Sequence, residues 1–112
     1  MKLLEKAERI RIYIGEDDKH KGMPLAEAIV KEARQLGLAG ATVFRGMSGF
    51  GANSRIHTTK ILRLSEDLPV VVEIVEHPDR LDSLLDHLSD IMSEGMVTRE
   101  PVNVMLYRHA KK

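Results

Sequence analysis

Residues Pro69 to Val75 read Pro-Val-Val-Val-Glu-Ile-Val, with five β-branched side chains and one acid. This composition favours an extended, pleated backbone, and Pro69 suits the first position of a strand. Side chains alternate across a strand, so both faces of this one are apolar and both need cover. Pro78-Asp79 follows at once and opens a helix. Leu81, Leu84, Leu85, Leu88, Ile91 and Met92 then recur at helical spacing on one stripe, and Gly95 is placed to close it.

The remaining elements fall around this pair. Arg9 to Ile14 alternates, with Ile10, Ile12 and Ile14 on one face of a strand. Gly15 to Gly22 reads as a charged loop. Pro24 suits the start of a helix, Leu25, Ala28, Ile29, Ala33 and Leu36 form its apolar stripe, and Gly37 ends it. Gly40 to Arg45 gives a further strand, and Pro101 to Tyr107 reads as the last. Residues 52–60 are polar and read as a mobile loop; Ile61 to Leu64 can be extended.

The order strand, helix, strand, strand, helix, strand specifies an α+β, ferredoxin-like βαββαβ sandwich. It has a four-stranded antiparallel sheet with both helices on one face. At 112 residues the chain reads as a single domain, 1–112. The face away from the helices would carry Tyr13, Phe44, Val71, Val75 and Met105. That is too apolar to be left in water, so the sheet is expected to pack against another subunit.

Composition removes several classes of function. Lys plus Arg and Asp plus Glu both number 17, so there is no net basic charge to attract nucleic acid. Cysteine is absent, which excludes disulfides, Cys-zinc sites and thiol catalysis. The apolar runs are too short to span a bilayer, and the charged N-terminal stretch does not read as a signal peptide. A cytoplasmic protein is the expectation.

The segment Arg45-Gly46-Met47-Ser48-Gly49-Phe50-Gly51 follows the second strand. Glycine permits positive φ and close approach of a ligand to the backbone, and successive N–H groups in such a turn can cradle an anion. The spacing is neither the dinucleotide fingerprint nor a Walker loop. A glycine cluster is also ordinary turn composition, so a phosphate cradle and a plain turn are both open on this pattern.

Gly37-Leu38-Ala39-Gly40-Ala41-Thr42-Val43, followed by Gly49-Phe50-Gly51, resembles the PII signalling proteins. There, a similar strand leads into Gly-Phe-Gly at the base of a long loop. Glu73-Ile74-Val75 resembles the strand that returns from it. The Ile56-His57-Thr58 and Ser65-Glu66-Asp67-Leu68-Pro69 stretches are similar to a small PII-like family known as a domain of unknown function.

The resemblance implies a non-enzymatic, nucleotide-responsive regulatory homotrimer with an adenine nucleotide (ADP, AMP or ATP) in clefts between subunits. Gly49, Phe50 and Gly51 would wrap the phosphates, with Arg45 or Arg99 nearby for charge. Thr42 would meet adenine near the backbone of Val75, and Glu73 matches an acidic position on the same strand. Gly95, Met96, Val97 and Thr98 resemble the second phosphate-binding loop. The 52–60 loop would contact a partner protein, a membrane transporter or channel being one type, with the chain itself not inserted in the membrane. No metal is required.

The chain also departs from the PII pattern. One extra residue lies between Gly40 and Gly49. The Gly-Asp-Gly-Lys of the second loop, the C-terminal Arg-x-Arg and the covalently modified loop tyrosine are missing.

The alternative class is a trimeric divalent-metal module, since one histidine per subunit can converge on a symmetry axis. His57 is the candidate; His77 and His87 read as capping or surface residues. For an enzyme, only Glu16-Asp17-Asp18 and the His77/Asp79 pair stand out, and they form no nucleophile–base arrangement. RNA binding would need stacked aromatics, and only Tyr13 and Phe44 are candidates.

Overall fold

The structure is a computed structural model, and it describes residues 6–49 and 68–110. Phe50, Gly51, the 52–60 loop and the Ile61 to Leu64 segment lie outside the described residues. The elements are β1 (Ala7–Gly15), β2 (Lys19–His20), β3 (Met23–Pro24), α1 (Leu25–Gln35), β4 (Thr42–Arg45), β5 (Pro69–Glu76), α2 (Pro78–Ile91) and β6 (Met96–Val102). Four strands form one antiparallel sheet in the order β4-β5-β1-β6. With both helices against one face, this is the ferredoxin-like sandwich expected from the element order.

The two apolar stripes form one core with the inward face of the sheet. Ile10, Ile12 and Ile14 of β1 meet Val70, Val72 and Ile74 of β5, Leu25, Ile29 and Ala33 of α1, and Leu81, Leu84 and Leu88 of α2. Full burial of one such aliphatic side chain contributes about 1.5–3 kcal/mol, so these twelve dominate stability.

Each helix has a local stop or start signal. Gly37 lies at φ +74°, beyond the last turn of α1. Its N–H donates to Arg34 O at 3.0 Å, and that of Leu38 to Ala33 O at 3.1 Å. This is the Schellman pairing, which needs a left-handed residue after the helix. At α2, Pro78 occupies the first turn, and His77 caps it by accepting from the Asp79 N–H at 3.2 Å.

Four expectations change. The charged Gly15 to Gly22 loop contains half of a small hairpin, β2 paired with β3. Helix α2 ends at Ile91 rather than at Gly95. The last strand is Met96–Val102, not Pro101 to Tyr107, because Val97 takes the inward position opposite Ile12 and Ala7 pairs with Val102. Met105 therefore lies beyond the sheet, 88% exposed, and is not a member of its open face.

Candidate functional site

On the open face the register lines side chains into rows that cross the sheet. Phe44, Val71, Tyr13 and Met96 form one row through all four strands. The next contains Thr42, Glu73, Arg11 and Thr98, and the third contains Val75, Arg9 and Glu100. Only the first row is wholly apolar. The face, expected to be too apolar for water, is thus one uncharged row beside two charged ones.

Those charges are paired within the chain. Arg11 Nε donates to Glu73 Oε2 at 2.9 Å, Arg9 Nη2 donates to Glu100 Oε1 at 2.7 Å, and Arg11 Nη1 lies 3.6 Å from the same Glu100 oxygen. The hydrogen bond from Arg9 holds the Glu100 carboxyl below the usual carboxylate range. The bond to Glu73 raises Arg11 above the usual guanidinium value. The face can therefore lose water without leaving a bare charge.

Thr42 and Glu73 are register partners, and Val75 follows on the same face. The glycine turn lies at the other end of this ladder, where Arg45 pairs with Val70. The Gly46 N–H donates to Pro69 O at 2.7 Å. A Cβ on Gly46 would stand 2.6 Å from Pro69 Cγ, so only glycine lets the two stems of the turn approach this closely. Gly49 lies at φ +145°, and its Cβ would stand 3.1 Å from the same atom. From Glu73 to Pro69 the ladder runs roughly 14 Å at about 3.4 Å per residue.

Gly95 sits at the same end of the sheet on the opposite edge. Its φ is +121°, and an added Cβ would meet Tyr13 O and Met92 Cε, each at 2.8 Å. It makes the turn from α2 into β6. Met96, Val97 and Thr98, expected in a second loop, belong to the strand itself. Three strand spacings separate the two glycine turns, roughly 14 Å at about 4.8 Å each.

The expected cations are otherwise engaged. Arg45 Nη2 lies 2.6 Å from Glu16 Oε2. Arg99 stands on the helix side, where its Nε donates to Glu8 at 2.6 Å and its Nη1 to Asp82 at 2.7 Å. Arg99 therefore stands on the edge strand opposite β4 in the same chain, with its guanidinium already paired.

Sequence reasoning missed Glu76. It is fully buried, the only buried charged residue among those described. Its carboxylate accepts from the Ala39 N–H at 2.7 Å and the His77 N–H at 2.9 Å. Arg80 Nε lies 3.8 Å away. Arg80 Nη2 donates to Leu36 O at 3.2 Å and also to Gly37 O. A signal was present. Val70, Val72 and Ile74 face inward, so position 76 does too, and Arg80 falls one helical turn later.

Among the described residues, no group of three or more His, Asp or Glu is arranged to hold a metal ion. His87 pairs with Glu32 across the two helices. No helix among those residues is long and apolar enough to cross a membrane.

This sandwich, with a glycine turn leaving the edge strand β4, is the fold of PII-like proteins. A nitrogen regulatory PII-like protein from Thiomonas intermedia K12, CPII, solved with ADP, AMP and bicarbonate, superposes with a TM-score of 0.64. It is 13% identical, over 92% of this chain and 97% of that one. The GlnK–ATP complex from B. subtilis superposes with a TM-score of 0.58, at 14% identity over 88% of this chain and 83% of that one. The chain belongs to the DUF190 family, described as Uncharacterized ACR, which matches residues 7–104. A UPF0166 protein from Aquifex aeolicus is 34% identical over 100 residues, 89% of this chain and 94% of the relative.

Proposed function

We propose that this protein is a non-enzymatic regulatory protein that binds an adenine nucleotide at the boundaries between copies of a homotrimer. The observation that carries the reading is the placement of the two glycine turns: same end of the sheet, opposite edges, roughly 14 Å apart. One phosphate group cannot touch both turns of one chain. In a head-to-tail ring, opposite edges of neighbouring copies meet, and the Gly49 turn of one copy then faces the Gly95 turn of the next. Nucleotides bound to CPII and GlnK support the ligand class, and the trimer comes from the resemblance.

In this reading Thr42 and the Val75 backbone take the adenine, with Glu73 beside them. Gly49, Phe50 and Gly51 take the phosphates of the same nucleotide. Arg45 must exchange Glu16 for phosphate to contribute charge. Gly95 and the start of β6 close the cleft from the neighbouring copy. Binding sets the conformation of the 52–60 loop, which contacts a partner protein, so the ligand must bind two loop states with different affinity.

Titration calorimetry with ADP and GDP tests this. Gly51→Val should weaken both nucleotides, because a branched side chain obstructs close approach of a ligand to the backbone, and leave the oligomer intact. Thr42→Val should reduce the preference for ADP over GDP and spare phosphate binding. Unchanged ADP affinity in Gly51→Val would make the glycine segment a plain turn.

A further inference from the structure

After Leu36, the C-cap of α1, the connection to β4 runs Gly37-Leu38-Ala39-Gly40-Ala41. None of these side chains can hydrogen-bond, and two of the five residues are glycine, so the segment has no polar side-chain anchor of its own. Its backbone is instead held from outside by one carboxylate and one guanidinium. Arg80 donates to Leu36 O and Gly37 O at the end of α1, and Glu76 accepts from the Ala39 N–H, three residues before Thr42. The Schellman pairing fixes the same segment from the helix side.

Glu76 is the residue after Val75. One position of β5 therefore presents backbone to the proposed adenine end, and the next fixes the entry of β4, which carries Thr42. A fully buried carboxylate costs several kcal/mol in desolvation unless its partners repay it. An aliphatic residue would fill the inward position without that cost. The charge does something packing does not: it accepts the Ala39 N–H and, through Arg80, orders the helix end.

Resting on the reading above, we infer that Glu76 and Arg80 are positioning residues for adenine selectivity. They set where Thr42 stands relative to the Val75 backbone, without touching the ligand themselves. A base-reading hydroxyl requires a placement of about half an ångström. The phosphate end, at the far end of the β4–β5 ladder, does not depend on this pair.

The test compares the full-length parent with Glu76→Gln, Arg80→Gln and Arg80→Lys, each titrated with ADP, GDP and pyrophosphate. Arg80→Gln and Arg80→Lys alter a partly exposed side chain, so they keep the test alive if Glu76→Gln fails to fold. The preference for ADP over GDP should fall about tenfold in Arg80→Gln, the size of one misplaced hydrogen bond. Pyrophosphate affinity should stay at the parental value. Arg80→Lys should restore part of the preference, because lysine reaches one carbonyl and lacks the guanidinium fork. An unchanged ADP-to-GDP ratio in folded Arg80→Gln overturns the inference while leaving the nucleotide reading standing. Equal losses of all three ligands would also overturn it, by assigning the pair to general stability. A parent that binds neither nucleotide overturns both.

Discussion

On the helix side of the sheet, Ile10, Ile12, Val72 and Ile74 are at most 1% exposed, and Leu81 and Leu84 are fully covered. On the other side Phe44 is 50% and Met96 is 55% exposed, although the row they belong to runs unbroken through Val71 and Tyr13. The helix face is finished within one chain. The open face holds an apolar row with no cover beside charges that already have partners. A face meant for water would need no such row, and a face belonging to the core would not carry four ionised side chains. This combination fits a surface that a second copy completes.

Substitutions on the two faces should therefore fail in different ways. The largest effect belongs to the helix face. Leu84→Ala should lower stability by about 2–5 kcal/mol, since it removes buried methyl groups and leaves a cavity. Urea denaturation followed by circular dichroism measures it, and a loss below 1 kcal/mol would mean that this core can collapse around the gap. On the open face, Val71→Lys should leave each copy folded, with a parental circular dichroism spectrum. The oligomer should dissociate, because the ammonium would enter an interface without a counter-charge. Light scattering at micromolar concentration reads the mass, and an assembly that survives the lysine would place the contact elsewhere.

The smallest effect concerns the charged rows. Arg9 holds Glu100 below the ordinary carboxylate range. A depressed carboxyl stabilises the fold above its unfolded value, and that contribution is lost as pH falls through the folded value. An NMR titration should show the Glu100 carboxyl protonating at lower pH than in Arg9→Gln. Both groups are near solvent, so the accompanying change in stability should be slight. Equal titration curves in the two proteins would remove the Arg9 contact from solution.

The contrast between the faces also separates what the sequence could convey from what it could not. The inward face was legible because period-2 alternation in Ile10, Ile12 and Ile14 and helical spacing in Leu81, Leu84 and Leu88 both follow from local geometry. The glycine at position 37 was legible as a helix stop for the same reason. The last strand was misplaced because Met96 to Arg99 alternates weakly, whereas Val102, Val104 and Leu106 alternate well although β6 ends at Val102, opposite Ala7 at the start of β1.

The pairing of Arg45 with Glu16, and of Arg99 with Glu8 and Asp82, depends on contacts between residues distant in sequence. Charge counting alone left both arginines available to a ligand. Of the candidate site, Thr42, Glu73, Val75 and Gly95 came from the resemblance to PII proteins and the Gly46 to Gly51 turn from composition, while the register that lines Thr42 up with Glu73 is seen only in the fold. Glu76 was hidden by its neighbours, since a strongly apolar strand drew attention to its valines and isoleucine rather than to the acid that ends it.

In the proposed function the nucleotide site lies between copies and is incomplete in one. Native mass spectrometry of the full-length protein, with and without ADP, tests it directly. The predicted result is a trimer that gains up to three ADP molecules, while Val71→Lys appears as a monomer that gains none. A parental monomer carrying one ADP, or a Val71→Lys monomer that binds ADP as the parent does, would contradict it.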